Sequence, residues 1–293
     1  MVQPIRLDEV DKTGLLLVGH GSVSPDGVAE NFEISNLVSE LLPEVSVEIG
    51  FLELAFPRAV EIGRAMIAGG IERLVVQPVM LNCAGHVKSD IPAVVNILRQ
   101  EFPSATIHYG QSLGVQYELI MEAKDKIERF HARGSSLLLT ARGTSDPDAN
   151  AEIYKAARLI ADVTGIKEFS VGFSGVTWPS VPDALNAVAR GSGGLLLCFS
   201  WYIGTGKLIE RISQDIEQYR LQSGSEVINA GYFGPSTVIA NLLVASFWNA
   251  LDHIIPLNCD MCQYRRPFPG IEDRVGLEIG HGHSHLAHDH LHN

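Results

Sequence analysis

The sequence predicts an α/β protein of two similar lobes, each a parallel sheet flanked by helices. The first observation is an internal repeat: Leu15–Ser22 (LLLVGHGS) returns 122 residues later as Leu137–Thr144 (LLLTARGT). The second is that short, continuous apolar runs alternate with stretches of helical spacing in both halves, which is typical of parallel strands buried on both faces. Ligands of such folds bind beyond the carboxyl ends of the strands, so we expect the active cleft between the lobes.

The first half contains four predicted strands with helices between them. Apolar runs give the strands Leu15–Val18, Val45–Phe51, Leu74–Val79 and Thr106–Tyr109. Helical spacing gives the helices Ala29–Leu42, Ala59–Ala68 and Val87–Gln100. Because strand and helix succeed each other regularly, a parallel sheet covered by helices is the expected arrangement.

The second half repeats this order, with strands near Leu137–Thr140, Phe169–Phe173, Leu195–Phe199 and Val227–Ala230. At an offset of 122, Gly50-Phe51 matches Gly172-Phe173 and Pro57 matches Pro179. At an offset of 121, the run 74–76 matches 195–197 and Gly85 matches Gly206. We therefore predict a catalytic lobe over 1–131, a substrate-holding lobe over 132–253, and a tail over 254–293.

Composition excludes several classes of function. The 293 residues carry a net charge of −12, so nucleic acid and anionic membrane are poor partners. The chain shows neither a signal peptide nor an uninterrupted apolar span, and four cysteines argue against a disulfide framework. We expect a cytoplasmic protein. Neither a GxxxxGK[ST] run nor a GxGxxG fingerprint after a strand is present, so we expect no nucleotide cofactor.

Three neighbouring strand ends carry candidate catalytic residues. His20 follows the first strand between two glycines, Glu53 follows the second, and His86 follows the third. Two imidazoles and a carboxylate can collect a divalent metal or take up protons. Each residue alone is also consistent with an ordinary loop or helix-start position. Together they predict a catalytic set that can bind a metal ion or take up protons.

The second half carries different residues at the matching positions. His20 is replaced by Arg142, Glu53 by Gly175 and His86 by Lys207. One lobe thus offers proton acceptors and metal ligands, and the other offers permanent cations that can hold carboxylates. The alternative is plain divergence of an unused second site. The predicted substrate-binding residues are Ser22, Arg142, Lys207 and, at a helix start that favours anions, Lys88 and Ser89.

These motifs resemble a known family. LLLVGHGS, FLELAFP at 51–57 and CAGHVKSDIP at 83–92 are similar to the CbiX-type sirohydrochlorin cobaltochelatases, which are class II chelatases. The resemblance implies insertion of Co²⁺ into a sirohydrochlorin-type tetrapyrrole in cobalamin biosynthesis, without ATP. It also implies that His20 and His86 handle the metal, with Glu53 at the family's acidic position. The departure in the second half fits the longer, fused form of the family, and a homodimer is a further expectation.

Other functions stay open from the sequence alone. The same fold could insert Fe²⁺, giving sirohaem, or Ni²⁺, because donor atoms of this type do not settle the metal. A metallochaperone or metal-storage protein is a rival of another class. A histidine phosphatase would need an arginine immediately before the histidine, and Gly19 stands there.

The tail carries two further motifs. A C-x-x-C pair can be half of a zinc or iron–sulfur site, a redox pair, or two plain thiols. The resemblance implies an iron–sulfur cluster there in some members. A histidine-rich tract can serve as a metal store or delivery arm, or it can be a solvated tail. The residues concerned are Cys259, Cys262, His281, His283, His285, His288, His290 and His292.

Overall fold

The computed structural model describes residues 12–130, 134–189, 194–252, 273 and 275. Within these residues the chain forms two four-stranded sheets, and every strand pair in them is parallel. The strands are β1 Thr13–Gly19, β2 Ser46–Phe51, β3 Arg73–Pro78, β4 Thr106–Tyr109, β5 Ser136–Ala141, β6 Glu168–Phe173, β7 Leu196–Ser200 and β8 Val227–Tyr232. The helices are α1 Pro25–Leu41, α2 Ala59–Ala68, α3 Ile91–Glu101, α4 Tyr117–Glu128, α5 Pro147–Thr164, α6 Val181–Ala189, α7 Lys207–Ser223 and α8 Thr237–Leu251. The predicted fold class is confirmed.

The two sheets have the same topology. Their strand orders are β2-β1-β3-β4 and β6-β5-β7-β8. The central strands β1 and β5 are buried along their whole length, which is why both read as continuous apolar runs and not as alternating ones. Apolar side chains of the flanking helices, such as Ile91 and Leu98 of α3, pack on the first sheet to form its core.

The helix boundaries follow from local sequence. Before α5, the Asp146 side chain accepts a hydrogen bond from Asp148 N at 3.2 Å, and Pro147 occupies the first helical position. A proline there loses nothing, because its missing N–H would have no partner inside the helix. Gly165 ends α5 in the left-handed conformation (φ 71°) that glycine adopts without steric cost. None of the described helices is long and apolar enough to span a membrane.

The registers correct the repeat offset in the third strand. Leu74 of β3 lies opposite Gly14, and Leu196 of β7 lies opposite Ser136. Since Gly14 and Ser136 are 122 residues apart, Leu74 corresponds to Leu196 and not to Leu195. The prediction of a 121-residue offset for this strand was therefore wrong, because three consecutive apolar residues fit either register. The one-residue deletion falls later, before Gly206.

Packing divides the chain differently from the sequence repeat. Within the described residues, one compact unit joins the chain up to Leu113 with the segment 235–252, and the other is Gly114–Gly234. Helix α8 packs on α1, β3 and β4, whereas α4 packs on α5, β7 and β8. In the first unit, buried Ser246 of α8 donates to Gln77 Oε1 at 2.8 Å. The helix that follows the last strand of each repeat thus packs in the other unit, α4 in the second and α8 in the first. The predicted boundary at 131/132 did not anticipate this exchange.

Candidate metal site

The candidate site lies at the carboxyl ends of three adjacent strands of the first unit. His20 follows β1, Glu53 follows β2 and His86 lies in the turn after β3, and β1 is the middle strand of the three. One ligand atom from each of these side chains lies within 4.8 Å of the others. Within the part of the chain that the structure describes, this is the one group of three His, Cys, Asp or Glu side chains so arranged. The structure thus brings together the three predicted catalytic residues.

The His20 ring is oriented by the backbone beside it. Its Nδ1 lies 3.0 Å from Gly21 O, and its Nε2 lies 3.0 Å from Glu53 Oε1. A carbonyl oxygen only accepts hydrogen bonds, so the proton of the neutral ring resides on Nδ1 and the Nε2 lone pair faces the carboxylate. Two electron-rich atoms at this distance repel each other unless a proton or a cation lies between them. The pair is therefore arranged to hold a cation or a proton.

His86 is oriented by a carboxylate four residues further on. It begins a π-helical turn, His86–Asp90, that leads into α3, and its Nδ1 lies 2.5 Å from Asp90 Oδ2. A carboxylate that accepts from Nδ1–H leaves Nε2 as the free lone pair of the ring and raises its basicity as a ligand. The His86 and His20 rings meet edge to face, with centroids 4.6 Å apart. Sequence reasoning missed Asp90, although its spacing of four residues from His86 was a usable signal.

Close packing of two loops sets the distance between His20 and Glu53. Glu53 N donates to His20 O at 3.0 Å, which extends the pairing of β1 and β2 beyond the strands. Gly21 has φ +99°, and a Cβ atom on it would lie 1.7 Å from Glu53 O. Only glycine fits there, because a side chain would push the two loops apart.

The predicted substrate-binding residues of the first unit lie close in sequence to the two histidines of this cluster, and they differ in exposure. Ser22 is partly exposed, and its Oγ accepts from Ser24 N at 3.0 Å. Lys88 is partly exposed, whereas Ser89 is buried, with 4% of its surface accessible. The backbone N–H of Lys88 donates to Ala84 O at 2.9 Å. That amide is thus used within the chain, contrary to the expectation that it would favour an anion.

The second unit repeats the backbone of the site with other side chains. Gly175 N donates to Arg142 O at 3.1 Å, just as Glu53 N donates to His20 O. Arg142 is exposed at the end of β5. Lys207 begins α7, where its ammonium lies 2.8 Å from Glu210 Oε2 on the surface. Both predicted cations are therefore exposed at the surface of the second unit, and Lys207 has an acidic neighbour in its own helix.

A tyrosine that sequence reasoning missed stands beside Arg142. Tyr202 follows β7, and its hydroxyl lies 2.9 Å from Ser174 Oγ. Burial raises the pKa of Tyr202 to about 12, although the Ser174 hydrogen bond and the nearby Arg142 charge act in the opposite direction. The phenol thus keeps its proton at neutral pH. This edge of the second sheet offers a permanent cation and hydroxyl donors, which suit an anionic ligand.

The tail motifs fall outside the described residues. This applies to Cys259, Cys262 and to all six histidines predicted as tail ligands, His281, His283, His285, His288, His290 and His292. The two cysteines inside the described range, Cys83 and Cys198, are not joined in a disulfide bond. Cys198 lies in the core of the second unit, and this burial raises the pKa of its thiol.

Comparisons with known proteins agree with this fold. The CbiX family model matches residues 14–129 and 136–250. The sirohydrochlorin cobaltochelatase of Priestia megaterium is 32% identical over 258 residues, which cover 86% of this chain and 84% of the relative. The sirohydrochlorin ferrochelatase of the same organism is 27% identical over 239 residues, with coverages of 80% and 90%. The structure of SirB from Bacillus subtilis with Fe³⁺ superposes with a TM-score of 0.74 at 22% identity, covering 83% of this chain and 97% of SirB.

The doubled parallel-sheet fold and the His–Glu–His cluster, together with these matches, define an enzyme of the metal chelatase class. The chain belongs to the CbiX family.

Proposed function

We propose that the protein inserts a divalent metal ion, with Co²⁺ foremost, into a sirohydrochlorin-type tetrapyrrole. The observation that carries the proposal is the cluster of His20, Glu53 and His86, whose ligand atoms lie within 4.8 Å of one another. The cobaltochelatase relative, matched over most of both chains, supports both the substrate and the metal.

Metal insertion needs the cluster both to bind a metal ion and to accept protons. A divalent ion must lose water ligands, and the tetrapyrrole must lose two N–H protons, so that the metal complex and two protons are the products. An imidazole that takes the place of a water ligand lowers the cost of dehydration, and cobalt accepts nitrogen ligands readily. His86 is oriented for this role by Asp90. The pair of His20 and Glu53, 3.0 Å apart, is placed to accept the departing protons.

Carboxylates of the substrate require positive partners, because the chain as a whole carries a charge of −12. In the second unit, Arg142 is exposed beside the Tyr202 hydroxyl, and Lys207 is exposed at the start of α7. A guanidinium binds a carboxylate with two parallel hydrogen bonds, which fixes its orientation. We assign Arg142 and Lys207 to the substrate carboxylates, with Ser22, Lys88 and Ser89 as contacts on the first unit.

Iron is the second candidate metal. It is favoured by the ferrochelatase relative, which covers 80% of this chain at 27% identity. Two imidazoles and one carboxylate also accept Fe²⁺ and Ni²⁺, because affinity at such sites rises in the order Fe²⁺, Co²⁺, Ni²⁺ and does not select one metal by ligand type. The metal is therefore a matter for direct measurement, whereas the chelatase chemistry is common to both candidates.

Anaerobic absorbance spectroscopy with sirohydrochlorin and Co²⁺, Fe²⁺ or Ni²⁺ tests the proposal. We expect the fastest insertion with Co²⁺. His20→Ala, His86→Ala and Glu53→Gln should each lower kcat about 10²–10⁴-fold, the range of a lost acid–base group. Glu48→Gln is the matched control, because Glu48 is an exposed carboxylate on β2, the strand that Glu53 follows.

A chain ending before His281 separates the chelatase from a metal carrier. The proposal expects this shortened chain to insert Co²⁺ at the rate of the full chain. If no metal enters faster than in protein-free solution, the chelatase assignment is wrong. Tail-dependent metal transfer with no insertion would then assign the protein to metal delivery.

A further inference from the structure

The second unit carries two hydrogen-bonded hydroxyl groups at the carboxyl edge of its sheet. Ser174 directly follows β6 and Tyr202 lies in the loop after β7, and their side-chain oxygens lie 2.9 Å apart. Ser174 is buried, and the Tyr202 ring packs on the apolar core of this unit. We call Ser174 with Tyr202 the hydroxyl pair. Burial removes water from both hydroxyl groups, which costs free energy unless each finds hydrogen-bond partners.

The first unit is apolar at the same two positions. Ser174 N donates to the carbonyl of the last residue of β5, and Leu52 N donates in the same way to the last residue of β1. Tyr202 O and Met80 O also correspond, because they accept backbone bonds of 3.1 and 2.9 Å from the segments after β8 and β4. The hydroxyl pair thus replaces Leu52 and Met80 on a matching backbone. Because the fold accepts apolar side chains at these positions, it does not itself require the hydroxyl pair.

The hydroxyl pair has one more O–H donor than it uses internally. Each hydroxyl carries one proton, and the hydrogen bond between the two oxygens uses only one of them. Burial raises the pKa of Tyr202 to about 12, so the phenol keeps its proton at neutral pH. The remaining O–H is therefore available to a ligand that accepts hydrogen bonds.

Arg142 lies beside the hydroxyl pair. Gly175 N, one residue after Ser174, donates to Arg142 O at 3.1 Å, so the two chain segments run side by side. The Arg142 charge opposes the rise that burial causes in the pKa of Tyr202, which places the guanidinium within electrostatic reach of the phenol. Among the residues that the structure describes, no acidic side chain pairs with Arg142, whereas Lys207 pairs with a glutamate of its own helix. A cation beside a hydroxyl donor suits an anionic ligand.

We propose that Arg142, Tyr202 and Ser174 form a binding site for one carboxylate group. The guanidinium supplies the charge, and the Tyr202 O–H donates to a carboxylate oxygen. The Ser174 O–H donates to the Tyr202 oxygen, which orients the phenol and strengthens it as a donor. All three residues belong to the second unit, so the site is complete within that unit. The inference rests on the proposed function for its ligand, because the tetrapyrrole substrate carries the carboxylates.

Removal of single hydroxyl groups from the full chain tests the proposal. The variants are Tyr202→Phe and Ser174→Ala, and Tyr117→Phe is the control, because Tyr117 is a 70% exposed tyrosine of the same unit. Metal-free sirohydrochlorin is titrated by absorbance to give its Kd. We expect Tyr202→Phe to raise this Kd about tenfold or more, as for loss of a hydrogen bond to a charged group, and Ser174→Ala to raise it about threefold. The control should change it by less than about twofold.

A double-mutant cycle shows whether Arg142 and Tyr202 bind the same carboxylate. Loss of either group lets a shared carboxylate shift away from the other, so the two effects should be coupled. We expect the Kd of the chain with both Arg142→Gln and Tyr202→Phe to lie about threefold or more below the product of the single effects. In Tyr202→Phe the Co²⁺ Kd and the kcat of insertion should stay within about twofold, because the metal cluster lies in the first unit.

The outcomes separate this inference from the proposed function. An unchanged sirohydrochlorin Kd in Tyr202→Phe, or independent effects in the cycle, overturns the inference, and the proposed function survives if the parent chain inserts metal. A lower Tm with an unchanged Kd also overturns it and assigns the hydroxyl pair to folding alone. A parent chain that neither binds sirohydrochlorin nor inserts metal refutes the proposed function itself.

Discussion

The strand ends of the first unit carry His20, Glu53 and His86, whereas the same backbone positions of the second unit carry Arg142, Gly175 and Lys207. The sheets agree in strand order and in register, and the loops after β2 and β6 agree in their hydrogen bonds. The shared scaffold therefore carries different side chains at the three strand ends. A duplicated fold can keep its scaffold and divide two tasks, metal and proton handling on one side and anion binding on the other.

The contrast extends to the residue that supports each site. In the first unit His86 has Asp90 four residues later, with Nδ1 and Oδ2 2.5 Å apart. In the second unit Lys207 has the exposed Arg211 four residues later. A carboxylate stabilises a metal-bound imidazole, and a second cation would oppose metal binding. The first unit thus places an acidic residue behind its candidate ligand His86, whereas the second unit places a basic residue at the matching position.

Asp90→Asn gives the largest effect that this comparison predicts. The substitution preserves size and an acceptor for Nδ1–H but removes the charge that makes the His86 ring a strong ligand. We expect Co²⁺ affinity and insertion rate to fall about 10–100-fold, as for other partners of ligating histidines. Isothermal titration with Co²⁺ and the anaerobic insertion assay measure the two quantities.

Arg211→Ala is the matched control in the second unit, and it should leave Co²⁺ affinity unchanged. A drop in Tm for Asp90→Asn with normal Co²⁺ affinity would show that Asp90 serves only the fold. The comparison between the two supporting residues would then lose its meaning.

Arg142→Gln tests the anion-binding half of the comparison. Loss of a charge-assisted hydrogen bond, worth about 1.5–3 kcal/mol, should raise the KM for sirohydrochlorin about tenfold or more. The kcat and the Co²⁺ Kd should not change, because Arg142 and the cluster of His20, Glu53 and His86 lie in different units. Steady-state kinetics with Arg211→Gln as control checks this. A fall in kcat with an unchanged KM would assign Arg142 to the chemical step instead.

Much of the fold was predictable because strands buried on both faces leave an unmistakable apolar run. β1, β2 and β4 and the helix Ala59–Ala68 lie where the sequence predicts them, within a residue or two. The register of β3 against β7 was not predictable, since Leu74 can be matched with Leu195 or Leu196 equally well. The exchange of α4 and α8 between units was also beyond the sequence, because α8 packs on elements that lie more than a hundred residues earlier in the chain.

The candidate site shows the same division between local and distant information. His20, Glu53 and His86 were predictable because parallel strands deliver their carboxyl ends to one edge. The contacts of Asp90 and Tyr202 depend on turn geometry, a π-helical turn in one case and the loop after β7 in the other. The spacing of four residues between His86 and Asp90 was a usable signal for the first contact. No periodicity or motif specifies the second contact, so Tyr202 became visible only in three dimensions.

Rebuilding the metal site in the second unit gives the smallest effect and the sharpest test of the comparison. The triple variant Arg142→His, Gly175→Glu and Lys207→His restores the side chains of the first unit on a matching backbone. It is sterically feasible, because a Cβ added at Gly175 meets no atom within 4 Å. In a chain ending before His281, we expect one additional equivalent of Co²⁺, bound about 10–100-fold more weakly than at the first site because Arg211 stands where Asp90 would be needed. Equilibrium dialysis of the variant against the parent gives the difference. If no extra metal binds, the two strand edges differ in backbone as well as in side chains. If the variant inserts metal faster than the parent, a role of Arg142 in holding the substrate is contradicted.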